Sequence, residues 1–333
     1  MFYLTGLWNA ALPSSAKVAP PEPLTAPPAP ISAPVVFTTG TFPNQIAFDG
    51  TNVWITNRYS DNVSVLRATD GYHVMTPTVG MDPIGIAFDG ANMWAVSSTD
   101  GNLYVLQIGD GALVMTATDG VRPQAIASDG TYMWVTSDTP SQAADGLVRL
   151  HKISDGRPPP IGFACQFTPV NSPTAVAFDS TNKNMWVTSG NTNIATAYRT
   201  SDGCQVMTTT VGLAPLGIAF DSVNQNMWVT NAGGNNVSVL RASDGYHVMT
   251  PTVGTYPSGI VFDGTNMWVT NVLSNSVSVL RASDGALVNT VSVGTGPFGI
   301  AFDGTHIWVA NSYDNTVSQI TLTFRTLLPA LIR

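Results

Sequence analysis

Apolar residues along most of this chain come in short bursts and never in the three-to-four spacing of an amphipathic helix. Residues 254–293 show the order plainly. GIVFD is a short apolar run, Gly264, Thr265 and Asn266 mark a turn, and MWVTN is a second β-prone run. Val272 to Asn275 form a polar loop. SVSVLRA then alternates apolar and polar positions as a half-buried strand does. Asp284-Gly285 carries a two-residue hairpin signal, and ALVNTVSV is a fourth strand closed by Gly294. The pattern predicts four short antiparallel strands.

The same order recurs seven times. Trp54, Trp94, Trp134, Trp186, Trp228, Trp268 and Trp308 are spaced by 40, 40, 52, 42, 40 and 40 residues. Pro43, Pro83, Pro123, Pro173, Pro215, Pro257 and Pro297 keep the same beat, as do Asp49, Asp89, Asp129, Asp179, Asp221, Asp263 and Asp303. A period of about 40 residues signals a solenoid or a propeller. Four strands per unit with no helix select the propeller blade. The predicted fold is therefore all-β: a seven-bladed β-propeller over residues 35–322, with four antiparallel strands per blade.

Two details sharpen this prediction. Proline inside a sheet is tolerated at an edge, and Pro77, Pro169 and Pro251 all fall in the fourth strand, the outer edge of a blade. The seventh unit stops after SQITLT without a fourth strand, while VVFTTG (35–40) matches the fourth strands of other units. Residues 35–39 are thus expected to complete the last blade and leave the ring without an open side. Units four and five carry Asp179-Ser180 and Asp221-Ser222 in place of Asp-Gly, with two extra residues before the Trp. Unit three has insertions around 137–147 and 157–165. All read as loop variations.

The ends differ from the ring. Residues 1–12 are apolar and uncharged, the remnant of a signal-peptide core or a docking tail. Residues 13–34 form a proline-rich spacer, and residues 323–333 a second short apolar tail. Self-association through these terminal segments is a secondary expectation.

Composition changes the picture mainly by exclusion. Only 10% of the 333 residues are Asp, Glu, Lys or Arg, with Glu22 the single glutamate and a net charge of −8. Nucleic-acid binding needs clustered Lys and Arg, so it is not expected. No apolar run reaches the roughly 18 residues of a membrane-spanning helix. Paired glutamates, a phosphate-binding glycine loop, a GxSxG elbow and a histidine cluster are all missing from the sequence. No catalytic residue, cofactor or metal is assigned on this basis. The Trp series reads as packing between blades, and the Asp-Gly and Asp-Ser series as self-capped turns. Arg67, Lys152, Arg199, Arg241 and Arg281, each three residues before a turn Asp, read as structural pairs. Cys165 and Cys204 are the only cysteines. They form a disulfide if the chain is exported, and two separate thiols are the alternative.

A propeller places the loops between strands four and one, and between strands two and three, on one face. Here those loops differ from unit to unit, whereas the DGTN and ASDG turns of the opposite face recur almost unchanged. The variable face around the channel mouth is therefore the expected site for a protein or glycan partner, with Arg58, Tyr59, Asp82, Arg122, Tyr256, Tyr313 and Asp314 as candidates.

The recurring WITN (54–57), WVTN (228–231 and 268–271) and WVAN (308–311), flanked by FDGTN and NxVSVLRASDG, resemble the YVTN-type β-propeller repeat and, more loosely, NHL repeats. The resemblance implies a prokaryotic exported protein, extracellular, on the cell surface or in the periplasm, acting as a scaffold or binding module. Some propellers of related shape are lactonases or lyases, so the rival expectation is a hydrolase or lyase with an Asp-based site at the channel mouth.

Overall fold

The computed structural model describes residues 31–120, 122–138, 147–158 and 171–322. Among them lie seven antiparallel sheets, six of four strands and one of three. Six of the sheets are each one sequence unit, their strands hydrogen-bonded in chain order from the axis outward. Blade 6 is typical, with strands Pro257–Phe262, Asn266–Asn271, Ser276–Arg281 and Leu287–Ser292. Blade 3 has three described strands; Pro169 and the rest of the segment where its fourth is expected lie outside the described residues.

The ring closes as expected. Val35–Thr38 pairs antiparallel with Thr316–Thr321, Val35 opposite Gln319 and Thr38 opposite Thr316. Phe37 of this closing strand stacks on Trp308, with ring centroids 5.7 Å apart. It also covers Gly71 of blade 1, where a Cβ would come within 2.1 Å of the Phe37 ring. The seal is thus both a hydrogen-bonded ladder and an apolar contact.

The core lies between blades. Each cluster takes the Trp of one blade and the apolar residues of the next: Trp54 with Ile86 and Met93, Trp228 with Ile260 and Met267, Trp308 with Ile46 and Val53. All seven repeat tryptophans are at most 2% exposed. In five blades the indole Nε1 also donates to the turn Asp five residues earlier, as Trp54 does to Asp49 Oδ2 at 2.7 Å and Trp268 to Asp263 Oδ2 at 2.7 Å. The other carboxylate oxygen caps the turn, Asp263 Oδ1 accepting from Thr265 N and Asn266 N. Blades 4 and 5 differ because their turns are two residues longer. There Asp179 and Asp221 accept from Asn182 and Asn224, and Trp186 Nε1 and Trp228 Nε1 are buried without a partner.

The remaining signature residues tie blades together. Thr270 Oγ1 donates to Phe298 O of the next blade at 2.8 Å, as Thr230 does to Ser258 O at 2.7 Å. Asn271 Nδ2 donates to Ser276 and Ser278 of its own blade. Gly254 lies directly over that amide, since a Cβ there would come within 2.6 Å of Asn271 Cγ.

Two details depart from the sequence reading. The ASDG hairpin is not a two-residue turn: Arg281 N donates to Ala286 O and Gly285 N donates to Arg281 O, so four residues span it. Asp284 Oδ1 accepts from Ala286 N, and Gly285 takes φ 71°, a left-handed value that costs glycine little. The proline-containing outer strands are interrupted: blades 1 and 5 have only His73–Met75 and His247–Met249, and pairing resumes past the proline as single bridges at Thr78 and Thr252. Proline lacks the N–H that a continuous ladder needs.

The arginines that precede the turns pair as expected, Arg199 with Asp202 at 2.7 Å, Arg241 with Asp244 at 2.9 Å and Arg281 with Asp284 at 2.8 Å. Backbone N–H donation from Cys204 and Ala286, and then the arginines, hold the Asp202 and Asp284 carboxyls below the ordinary aspartate value. Cys204 is disulfide-bonded; Cys165, the chain's only other cysteine, lies outside the described residues.

Candidate functional site at the channel mouth

The innermost strands of the seven blades surround an axial cavity of about 670 Å³. Ile84, Ile86, Leu216, Ile260 and Phe298 line its shaft together with the polar Asn44, Gln45, Gln124, Thr174 and Ser258. Asn44 is 2% exposed and its Oδ1 has no hydrogen-bond partner.

One repeat position shapes the mouth. The residue before each inner-strand proline has positive φ in every blade: Phe42 (58°), Asp82 (57°), Arg122 (31°), Ser172 (51°), Ala214 (51°), Tyr256 (59°) and Gly296 (65°). Six of these are not glycine, and a left-handed residue with a Cβ costs on the order of 1 kcal/mol or more. The surroundings hold the conformation. An Asx side chain of the preceding blade accepts from the backbone N–H at this position: Asn315 from Phe42, Asp61 from Asp82, Asn193 from Ala214 and Asn235 from Tyr256. The loop between strands two and three supplies a second tie, since Arg58 N, Ser98 N, Asp138 N and Val272 N donate to the carbonyls of Phe42, Asp82, Arg122 and Tyr256. Backbone geometry is thus nearly constant around the ring, while the side chain is different in every blade.

Blades 1 to 4 supply the charged half of the mouth. Arg58 Nε lies 2.6 Å from Asp82 Oδ1 and Nη2 lies 2.9 Å from Oδ2, a two-pronged pair across the blade boundary. The hydrogen bond to Asp82 holds the Arg58 guanidinium above its already high ordinary pKa. Arg122, Asp138, Ser98 and Ser172 line the same cavity.

Of the seven residues singled out by sequence, Arg58, Asp82 and Arg122 line the cavity; Tyr59, Tyr256, Tyr313 and Asp314 do not. Tyr59 and Tyr313 flank Phe42, with ring centroids 4.8 and 5.7 Å away, and both remain at least 60% exposed. Tyr256 is 41% exposed, and Asp314 accepts from Thr295 N, tying its loop to the one before Pro297. Sequence reasoning missed Asp138, Ser98, Ser172 and Asn44. Asp138 was overlooked within the long insertion of unit three. The signal that finds the others is position: each sits beside the repeated proline or at the end of the WVTN strand.

A second polar cluster lies in blade 3. Asp119, whose side chain is fully buried, accepts from Ser137 Oγ, lies 3.0 Å from His151 Nε2 and 3.3 Å from Arg149 Nη1. His151 Nδ1 is 3.1 Å from Gly156 O. Asp119 stands where other units have the partly buried valines Val79, Val211, Val253 and Val293, and His151 where they have the buried Leu66, Leu106, Leu240 and Leu280. Among the described residues no group of three or more His, Cys, Asp or Glu is placed to hold a metal ion.

No protein-family profile matches the chain. No curated protein matches it either. Among solved structures it is similar to a chain of hydrazine synthase from Kuenenia stuttgartiensis, with a TM-score of 0.72 and 15% identity over 86% of this chain and 96% of that one. In all, 1519 solved chains match, and likeness that broad at such low identity is a statement about the seven-bladed fold and carries no activity with it.

Proposed function

We propose that this protein is an exported or cell-surface binding module of the YVTN repeat type, not a catalyst, and that it holds its ligand at the channel mouth of the variable face. One observation carries the reading. At the position before the repeated proline, seven blades share one strained backbone conformation, yet present Phe, Asp, Arg, Ser, Ala, Tyr and Gly. Strain held in place by surrounding hydrogen bonds is a feature of ligand-contacting positions. The opposite face spends its charges on its own turns, as Arg241–Asp244 and Arg281–Asp284 do.

Native mass spectrometry of protein recovered from its own host tests this. A mouth variant set (Arg58→Ala, Tyr59→Ala, Arg122→Ala) is compared with an opposite-face set (Arg67→Ala, Arg241→Ala, Arg281→Ala), both checked for unchanged melting. Retained ligand mass is expected in the wild type and the opposite-face set and to be lost from the mouth set. Equal retention in both sets, or a wild type that carries nothing, refutes the proposal.

A further inference from the structure

The charges on the variable face are almost all used internally. Asp61 holds the N–H of Asp82, Asp100 takes the Tyr104 hydroxyl, Asp314 takes Thr295 N, Asp119 belongs to the blade 3 cluster, and Asp82 pairs with Arg58. Among the described residues of the mouth, Arg122 and Asp138 remain with no side-chain partner.

The repeat explains why these two do not neutralise each other. The register that brings Arg58 of blade 1 to Asp82 of blade 2 joins the first residue after strand two to the pre-proline residue of the next blade. Ser312 of blade 7 reaches across in the same way to Pro43 O of blade 1, at 2.6 Å. Applied to blades 2 and 3, the same register sets Ser98 against Arg122 and Asp138 against Ser172. Serine stands where the counter-charge would be, once for a cation and once for an anion. Arg122 and Asp138 are themselves neighbours, since Asp138 N donates to Arg122 O at 3.1 Å. Two uncompensated charges of opposite sign thus sit side by side on the rim of a shaft lined by both apolar and polar side chains. The volume of about 670 Å³ falls within the ~300–1,000 Å³ of small-molecule sites.

The geometry points to a small zwitterion of amino-acid type as the ligand: its carboxylate on Arg122, its ammonium on Asp138, and its side chain in the shaft beside Ile84, Ile86 and Phe298. Asn44, whose buried Oδ1 has no hydrogen-bond partner, is one of the polar groups lining the shaft. This assignment rests on the mouth being the binding site, and the experiment separates the two claims.

The standard amino acids, each supplied singly, are screened by thermal shift against the purified full chain. The strongest stabiliser is then titrated by calorimetry, beside its analogues lacking either the amine or the carboxylate. At least one amino acid is expected to bind, with Arg122→Gln and Asp138→Asn each weakening it by about tenfold or more, the scale of one lost charged hydrogen bond. Arg281→Gln, on the opposite face, is expected to leave affinity unchanged. Both mouth residues are solvent-accessible, and unchanged melting of the unliganded variants confirms that they fold. Analogues that bind as tightly as the zwitterion, with the Asp138→Asn affinity unaltered, overturn the ligand class while the mouth remains the site. Failure of every amino acid to bind overturns it as well, and the host-derived ligand then decides the broader proposal by itself.

Discussion

Replacing Asp119 by valine, the residue that four other units carry at this position, is expected to destabilise the protein severely, although it restores the repeat pattern. The Asp119 side chain has no solvent exposure and satisfies three donors at once: Ser137, Arg149 and His151. Its loss leaves the buried Ser137 hydroxyl and the His151 ring without their acceptor, each at a cost of about 1–3 kcal/mol, and the Arg149 guanidinium without its carboxylate. Against a total stability of about 5–15 kcal/mol, that is a large fraction. His151→Leu alone is expected to cost somewhat less, because Arg149, with 34% of its side chain exposed, still faces the carboxylate. The triple variant Asp119→Val, Arg149→Ser, His151→Leu rebuilds the arrangement that blade 6 has in Val253, Ser278 and Leu280. Apolar replacement of a whole buried ion pair is close to neutral. What remains is the Ser137 hydroxyl, left without a partner as Ser97 is in blade 2, a cost of about 1–3 kcal/mol. Urea unfolding followed by the fluorescence of the buried tryptophans measures all three variants. The triple variant is expected to recover most of what the single Asp119→Val variant loses. If the triple is as unstable as that single variant, or the single costs less than about 1 kcal/mol, the cluster is not a mutually compensating unit and the reasoning fails.

Trp268→Phe is expected to cost more than Trp228→Phe, by about 1.5–3 kcal/mol, because only Trp268 donates to its turn aspartate while Trp228 Nε1 has no partner; equal melting shifts for the two would show that the indole–carboxylate bond adds nothing. Truncation to residue 31 should leave the melting curve nearly unchanged, whereas truncation to residue 39 removes the closing strand, bares the edge of Thr316–Thr321 and should lower stability by several kcal/mol and promote association. Light scattering and thermal melts distinguish these. Titration of Asp284 by NMR should give a pKa below 3.8. A carboxylate whose pKa is depressed on folding adds stability that is present above its unfolded pKa and disappears as pH falls through the folded value. Because the backbone N–H of Ala286 is the leading cause, the depression should persist in Arg281→Met; its return to the ordinary value there would place the effect in the ion pair instead.

Much of the ring was legible before any coordinates, because a propeller repeats one local solution. Alternating SVSVLRA, the Asp-Gly turns and the Trp beat recur at fixed intervals, so errors in one unit are corrected by the other six. The missing outer strand of the seventh unit and the spare VVFTTG at the start were a matter of counting. The candidate site was read less completely. Variation among loops pointed to the face where Arg58, Asp82 and Arg122 line the cavity, but did not separate residues that reach the cavity from residues such as Tyr59 and Tyr313 that pack on Phe42 beside it. That separation depends on which way each side chain leaves its loop, a property of three dimensions. The Trp–Asp bond was also hidden, since each residue had a sufficient local role without it.

By itself the sequence determined the periodic part of this protein: all-β architecture, blade number, strand order and the place where the ring is fastened. These follow from hydrophobic alternation and turn chemistry, which act over a few residues and are multiplied by repetition. Tertiary structure alone decided which charges are spent and which are left over. Arg58 and Arg122 are both arginines of the mouth loops, yet Arg58 meets Asp82 of the next blade, whereas the position of the preceding blade that would pair with Arg122 holds Ser98. Electrostatic compensation acts between residues brought together only by closing the ring, and no local pattern encodes it.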